Sequence, residues 1–436
     1  MEIRNEAVKM LTDLIRINTV NPPGNEVEAA RYVKEILERE GIESTIHEAT
    51  PGRANFVARI PGTGRLKPLV LLSHLDVVGA NPSQWQYDPF GGIVADDYIW
   101  GRGALDMKGM LTMELLALLQ IKRSGKQPHR DVILVAAADE EAGGECGISW
   151  LLEQGIPGLK EAEYVINEGG EGITQDGRPI YSCQNGEKGV FWINLTVTGT
   201  PGHGSMPVED NAIFHMNQVL NRIGSMKPEL SLSATTRSYI TAIATAKGIT
   251  LPPDPEARDQ RLKQLITQEL KDERSLQAMF YHTISPTIMK AGMKTNVLPE
   301  KCELTLDCRL LPGETPESFL QKLRDRIDDP QVTIDIIHAA PPTESPVDTE
   351  LFGVMERTVH RENPKALVVP YLSPGGTDSR YFRRLGITAY GFMPILISEE
   401  ELRRMHGIDE RLSLANLEQG TRILAQVVRE ICGVES

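Results

Sequence analysis

The sequence predicts an α/β protein in which a mostly parallel sheet, flanked by helices, is interrupted by a smaller α+β sandwich. Three observations carry this reading. Helical and strand patterns alternate through about the first 170 residues, the signature of a sheet covered on both faces. Cys302, Leu304, Leu306, Cys308 and Leu310 then alternate strictly with Glu303, Thr305, Asp307 and Arg309, a period of two that marks a half-buried strand. The α/β texture returns near Pro346. A chain of 436 residues exceeds one ordinary domain. We expect a discontinuous domain over 1–188 and 343–436, with residues 189–342 inserted.

Taken in order, Val27, Ala30, Val33 and Leu37 mark a helix after the Asn21-Pro22-Pro23-Gly24 turn. Asn55–Ile60 and Leu69–Ser73 read as strands, Met107–Ile121 as a helix, and Val132–Ala138 and Ala162–Ile166 as buried strands. From Gly189, Phe191, Ile193, Leu195 and Val197 alternate along a strand, followed by a helix over Asn211–Ile223. After the 302–310 strand come a helix at Glu317–Ile327 and a strand at Val332–Ile337, an order that suits a small sandwich. Between about Lys227 and Gln277 a charged stretch with Pro252, Pro253 and Pro255 reads as an insertion with its own helix. Leu367–Tyr371 and Ile387–Phe392 read as strands around a turn at Ser373–Asp378, and Leu414–Ile431 closes the chain as a helix.

The net charge of −14 argues against nucleic acid or an anionic membrane as a partner. Met1–Arg16 is amphipathic and lacks a basic region followed by an unbroken apolar run, so no secretory signal is expected. The Val132–Ala138 run is far too short to span a bilayer. Five cysteines without CxxC pairing fit free thiols in a reducing compartment. A soluble, cytoplasmic protein is expected.

The chemistry is announced by position. The strand Leu69–Ser73 ends in His74-Leu75-Asp76, Val132–Ala138 ends in Asp139-Glu140-Glu141, and Tyr164–Ile166 ends in Asn167-Glu168. Open α/β sheets bind ligands past the carboxyl ends of their strands. One charged strand ending means little; three together point to a site. Asp106, after Gly101-Arg102-Gly103-Ala104-Leu105, reads by itself as a helix N-cap, and His406 by itself as a surface residue. Zinc binds imidazole and carboxylate and keeps a position open in catalytic sites. Adjacent Glu140 and Glu141 point in different directions, so one can ligate metal while the other serves as a base. Asp76 is spaced to hydrogen-bond the His74 imidazole.

The segments Ser73-His74-Leu75-Asp76-Val77-Val78, Gly101–Gly109, Asp139-Glu140-Glu141-Ala142-Gly143-Gly144 and Asn167-Glu168-Gly169-Gly170 resemble the metallopeptidase family of aminoacylases, Gly-X carboxypeptidases and succinyl-diaminopimelate desuccinylases. The resemblance implies that the inserted domain is a lid that also makes a homodimer. It implies two zinc ions, with cobalt or manganese as substitutes: His74 and Glu168 on one, Glu141 and His406 on the other, and Asp106 bridging, with a cis peptide to Met107. Glu140 is then the general base and Asp76 the partner that orients His74. His203, in Gly202-His203-Gly204-Ser205, is implied to support the oxyanion in a neighbouring subunit's site. Asn296, Arg309 and the Gly375-Gly376-Thr377-Asp378 turn are implied to hold the substrate, Arg309 and the turn at its carboxylate. Without the resemblance, Arg309 reads better as a surface ion pair with Glu303 or Asp307.

The expected reaction is hydrolysis of an amide next to a free carboxylate, in an N-acyl amino acid or short peptide. Asn167-Glu168 resembles the aminoacylase and carboxypeptidase branch more than the desuccinylases; a desuccinylase-like or acetylornithine deacetylase-like amidohydrolase is the alternative. A two-metal phosphoesterase fits less well, because such sites carry more His, Asn and basic residues. A non-catalytic metal-binding homologue would show damage at Glu140 or a ligand, and none is present.

Overall fold

The computed structural model describes residues 2–175 and 177–434. Its main sheet runs in the order Glu43–Thr50, Arg53–Ile60, Val132–Ala137, Leu69–His74, Tyr164–Asn167, Thr388–Gly391, Arg178–Glu187 and Thr343–Glu344. Leu69–His74 lies parallel to both its neighbours, Thr388–Gly391 is parallel to Tyr164–Asn167, and Leu367–Ser373 is parallel to Arg178–Glu187. The Glu43–Thr50 edge is antiparallel.

Burial explains why the central strands read as unbroken apolar runs. Leu69, Leu71, Leu134 and Ala136 join the core on one face, whereas Val70, Leu72, Ile133 and Val135 join the core on the other. Helices Glu2–Arg16, Lys108–Arg123 and Leu414–Ile431 pack against the first face. With both faces covered, no position is left for polar residues until the strands end, and that is where the acidic and imidazole groups begin.

The inserted domain follows the expected strand–helix–strand–strand–helix–strand order. Its sheet runs Thr283–Ala291, Lys301–Leu310, Gly189–Thr198 and Thr333–Ala340, all antiparallel where Lys301–Leu310 and Gly189–Thr198 meet their neighbours. Helices Ala212–Gly224 and Pro316–Ile327 supply Met216, Val219, Phe319 and Leu323 to its separate core.

The charged stretch contains three α-helices, Ala234–Ala246, Pro255–Gln264 and Arg274–Ala278, with a wider helical turn at Leu265–Glu269. Tyr239, Ile240, Leu262 and Phe280 pack with Ile180, Val369 and Leu372 of the main sheet. These helices, which lie within the span expected to be lid, thus rest on the body of the protein. The segment leaves and rejoins at one point, where Ser231 N donates to Phe280 O at 2.9 Å.

Two long strands of the main sheet escaped the sequence pattern. Glu43–Thr50 is a half-exposed edge strand. Arg178–Glu187 lies inside the sheet yet carries buried Ser182, Gln184, Asn185 and Glu187, so it offers neither alternation nor an apolar run.

Candidate active site

His74 closes its strand directly beside Ala137 of the neighbouring strand, so Glu140 and Glu141 follow three and four residues beyond that register. Asn167 ends the next parallel strand and delivers Glu168. Asp106 is not an N-cap: Met107 occupies that position ahead of Lys108–Arg123, without a side-chain cap bond. The Asp106–Met107 peptide is cis. His406 lies between the short helix Glu399–Leu402 and the strand Arg411–Ser413, in the left-handed region at φ 57°.

These residues converge. His74, Asp106 and Glu168 form one group whose ligand atoms lie within 4.8 Å of one another, and Asp106, Glu141 and His406 form a second. The Asp106 carboxylate divides itself between them. Its Oδ1 lies 3.1 Å from His74 Nε2, and its Oδ2 lies 2.8 Å from His406 Nε2. Glu168 Oε2 is 3.5 Å from His74 Nε2, and Glu141 Oε2 is 3.3 Å from His406 Nε2.

Electrostatics mark the same place. Burial pushes Glu168 up to about 7 against the pull of His74. Burial, reinforced by the negative charge of Glu168, raises Glu140 well above the usual carboxylate range. Hydrogen bonds to Asp106 and Glu141 raise His406 to about 10. Among the described residues, no Lys or Arg is ion-paired with Asp106, Glu141 or Glu168; their paired cations are the two imidazoles. Glu141 Oε1 is buried with no hydrogen-bond partner. Two imidazoles and three carboxylates in excess negative charge fit a pair of divalent cations.

The surrounding contacts hold this geometry. His74 Nδ1 meets the Asp76 backbone carbonyl at 2.9 Å. The Asp76 carboxylate accepts the backbone N–H groups of Glu140 and Glu141 at 3.1 Å each, and the Asn21 amide at 2.9 Å. The same amide donates to Asp139 at 3.1 Å, and Arg53 reaches Asp139 at 2.7 Å. Asp139 therefore organises the loop and is not among the converging ligands.

Glu410 is a residue that sequence reasoning passed over. Fully buried, it accepts from Arg102 Nη1 at 2.6 Å, Leu105 N at 2.8 Å and Asp106 N at 3.1 Å. Arg102 also donates to Gly407 O at 2.6 Å. One buried ion pair thus locks the approach to Asp106 against the loop that carries His406. The available signal was an Arg between two glycines, with an acidic residue four positions after His406.

The remaining candidates sit apart. His203 pairs with Val297 across a short two-stranded ribbon, and Gly204 N donates to Asn296 O at 2.8 Å, so His203 and Asn296 are neighbours on the inserted domain. His203 Nδ1 faces the Ser205 hydroxyl at 2.7 Å. Arg309 is held in a two-pronged ion pair by Asp307, at 2.8 and 3.1 Å. Among the described residues no hydrogen bond or ion pair joins His203, Asn296 or Arg309 to the acidic cluster. Gly375 lies in the turn after Leu367–Ser373, and its N–H donates to Ser373 Oγ at 3.1 Å. In that turn Asp378 is buried with neither carboxylate oxygen hydrogen-bonded, and burial raises it to about 7.

Comparison with known proteins gives the family. A model described as peptidase family M20/M25/M40 matches residues 70–430. The chain is 29% identical to the N-fatty-acyl-amino acid synthase/hydrolase PM20D1 of Xenopus tropicalis, over 98% of this chain and 86% of that one. It is 27% identical to aminoacylase-1 of Sus scrofa, over 99% of this chain and 97% of the relative. An M20 family metallo-carboxypeptidase from Sulfolobus solfataricus shares the fold with a TM-score of 0.73 at 19% identity, covering 97% of this chain and 98% of that one.

Proposed function

Because the chain belongs to peptidase family M20/M25/M40, we propose that it is a two-zinc enzyme hydrolysing the amide bond of an N-acyl amino acid or short peptide beside its free carboxylate. The observation that carries the reading is the division of one carboxylate, Asp106, between two groups of candidate ligands. In this reading His74 and Glu168 would hold one cation and Glu141 and His406 the other, with Asp106 contributing to both. Cobalt or manganese would also be accepted, since such donors select weakly.

When bound, a cation pair here would polarise the scissile carbonyl and acidify a water. Glu140, whose carboxyl group is pushed above its ordinary range by burial, takes a proton from the attacking water as the water oxygen bonds to the carbonyl carbon. The amide C–N bond then breaks, and Glu140 returns the proton to the leaving nitrogen. Asp76 keeps the Glu140–Glu141 loop and His74 in place. His203 donates to the oxyanion from the inserted lid. The Gly375 turn receives the substrate carboxylate, with Asn296 and the Arg309 Nη1 donors assisting. Lid and body correspond to residues 189–342 and to 1–188 with 343–436, except that the helices between 234 and 278 rest on the body.

A homodimer through the lid is part of the proposal. Met206, Phe214, Met293 and Val297, all near His203 or Asn296 in sequence, are exposed apolar side chains of that domain, the kind of surface that a partner covers. No described helix is long and apolar enough to cross a membrane, and the five cysteines are unpaired, which supports a cytoplasmic setting.

Glu140→Gln tests the centre of this reading. Metal content measured by elemental analysis should match the parent, while turnover of N-acyl amino acids falls by about two to four orders of magnitude. Unchanged turnover would remove Glu140 from the mechanism.

A further inference from the structure

Glu187 ends the Arg178–Glu187 strand, and the lid sheet begins two residues later at Gly189. The chain returns from that sheet alongside it, with Thr343 paired to Glu187 and Glu344 to Gly186. The first and last connections between body and lid thus pass one side chain, which is 2% exposed.

That carboxylate is fully engaged. Oε2 accepts Thr377 N at 2.9 Å and Thr377 Oγ1 at 3.1 Å. Oε1 accepts Thr343 Oγ1 at 3.4 Å. Arg383 Nη1, 3.5 Å from Oε2, supplies the counter-charge. The next residue completes the fastening, because Lys188 N donates to Ser373 O at 2.9 Å. Both ends of the turn that contains Gly375 are therefore tied to consecutive residues of the hinge. A buried ion pair contributes little net stability against an apolar replacement. What a carboxylate adds is two acceptor oxygens that take several donors at fixed angles.

We propose that Glu187 is a positioning residue for substrate recognition: it holds the carboxylate-receiving turn in register with the lid hinge. The proposal rests on the reading that the Gly375 turn receives the substrate carboxylate. Rotation of the lid about residues 187–189 and 341–343 shifts the turn, and a substrate seated on the turn biases the lid.

Steady-state kinetics on a hydrolysed N-acyl amino acid and on its C-terminal carboxamide test this. Glu187→Gln should raise KM for the acid about ten- to a hundredfold, the range for a hydrogen bond to a charged group. Its kcat should stay near that of the parent, and KM for the carboxamide should not move. Thr377→Val, which removes the hydroxyl donor to Glu187 together with a 3.3 Å acceptor of Ser379 N but keeps the backbone bond, should give the same split in smaller measure. It decides the matter if Glu187→Gln fails to fold by circular dichroism. Unchanged KM for the acid in the folded variants, or equal losses on acid and carboxamide, overturns the role of Glu187. A parent enzyme that treats acid and carboxamide alike overturns the carboxylate reading of the turn itself, which is a separate failure.

Discussion

His74 presents Nδ1 to the backbone carbonyl of Asp76 at 2.9 Å, while the nearest Asp76 carboxylate oxygen lies 3.5 Å away. The tautomer that leaves Nε2 free for a cation is thus supported by main chain, and the Asp76 side chain is committed to the Glu140 and Glu141 amides.

Asp76→Ala should therefore act on two loops together. It strips the acceptor from two backbone N–H groups and the Asn21 amide, each loss costing about 1–3 kcal/mol. Cation affinity, followed by chelator competition, should fall about 10–100-fold, with kcat falling alongside. Parent-like affinity and turnover would show that the loop stands without Asp76.

Glu410→Gln leaves the Arg102 guanidinium buried beside a neutral amide. Breaking a buried pair from one side costs about 3–5 kcal/mol, measurable by urea unfolding. Because the pair also fixes Gly407, cation affinity should weaken too. A variant equal to the parent in both measurements would argue that Arg102 is held by backbone acceptors alone.

Removing the cations should destabilise the fold. A cation at about a thousandfold its dissociation constant contributes about 4 kcal/mol. Chelator-treated protein should melt at a lower temperature by differential scanning fluorimetry and recover on adding zinc. Identical melting with and without metal would contradict a cation pair at the Asp106 carboxylate.

Lys188 supplies a pH dependence away from the candidate cation site. Burial, with Arg309 nearby, lowers its ammonium from 10.5 to about 7. The unfolded chain keeps the ordinary value, so between those limits it binds more protons than the folded chain, and stability rises with pH. The contribution is complete above the unfolded value and is lost as pH falls toward 7. Lys188→Met lacks this term, so the stability of the parent relative to the variant should grow from pH 7 to pH 10 in urea titrations. A constant difference would mean that the folded Lys188 titrates normally.

The sequence shows those parts of the site that obey a strand rule. His74, Glu141 and Glu168 each follow a buried apolar strand, and such strands betray their own ends. The twofold pattern from Cys302 to Leu310 is equally plain, because one face of its sheet meets helices and the other does not. Arg178–Glu187 escaped because the buried Asn185 amide and Glu187 carboxylate find partners remote in the chain, including Thr235, Ser345 and Thr377. No local pattern announces such pairing. Glu410 was hidden for the same reason, its partners lying some three hundred positions upstream. For the charged stretch, composition revealed an insertion but not which surface its apolar residues would choose.

The two ends of that insertion meet where Ser231 N donates to Phe280 O, and Thr235, which accepts the Asn185 amide and donates to Glu344, fastens its first helix to the main sheet. Its helices can exchange sequence where they face solvent, whereas Thr235, Tyr239 and Ile240 are fixed by the sheet they meet. The outer surface of these helices, away from Ile180, Val369 and Leu372, is thus where the scaffold can vary while the chemistry beneath stays put.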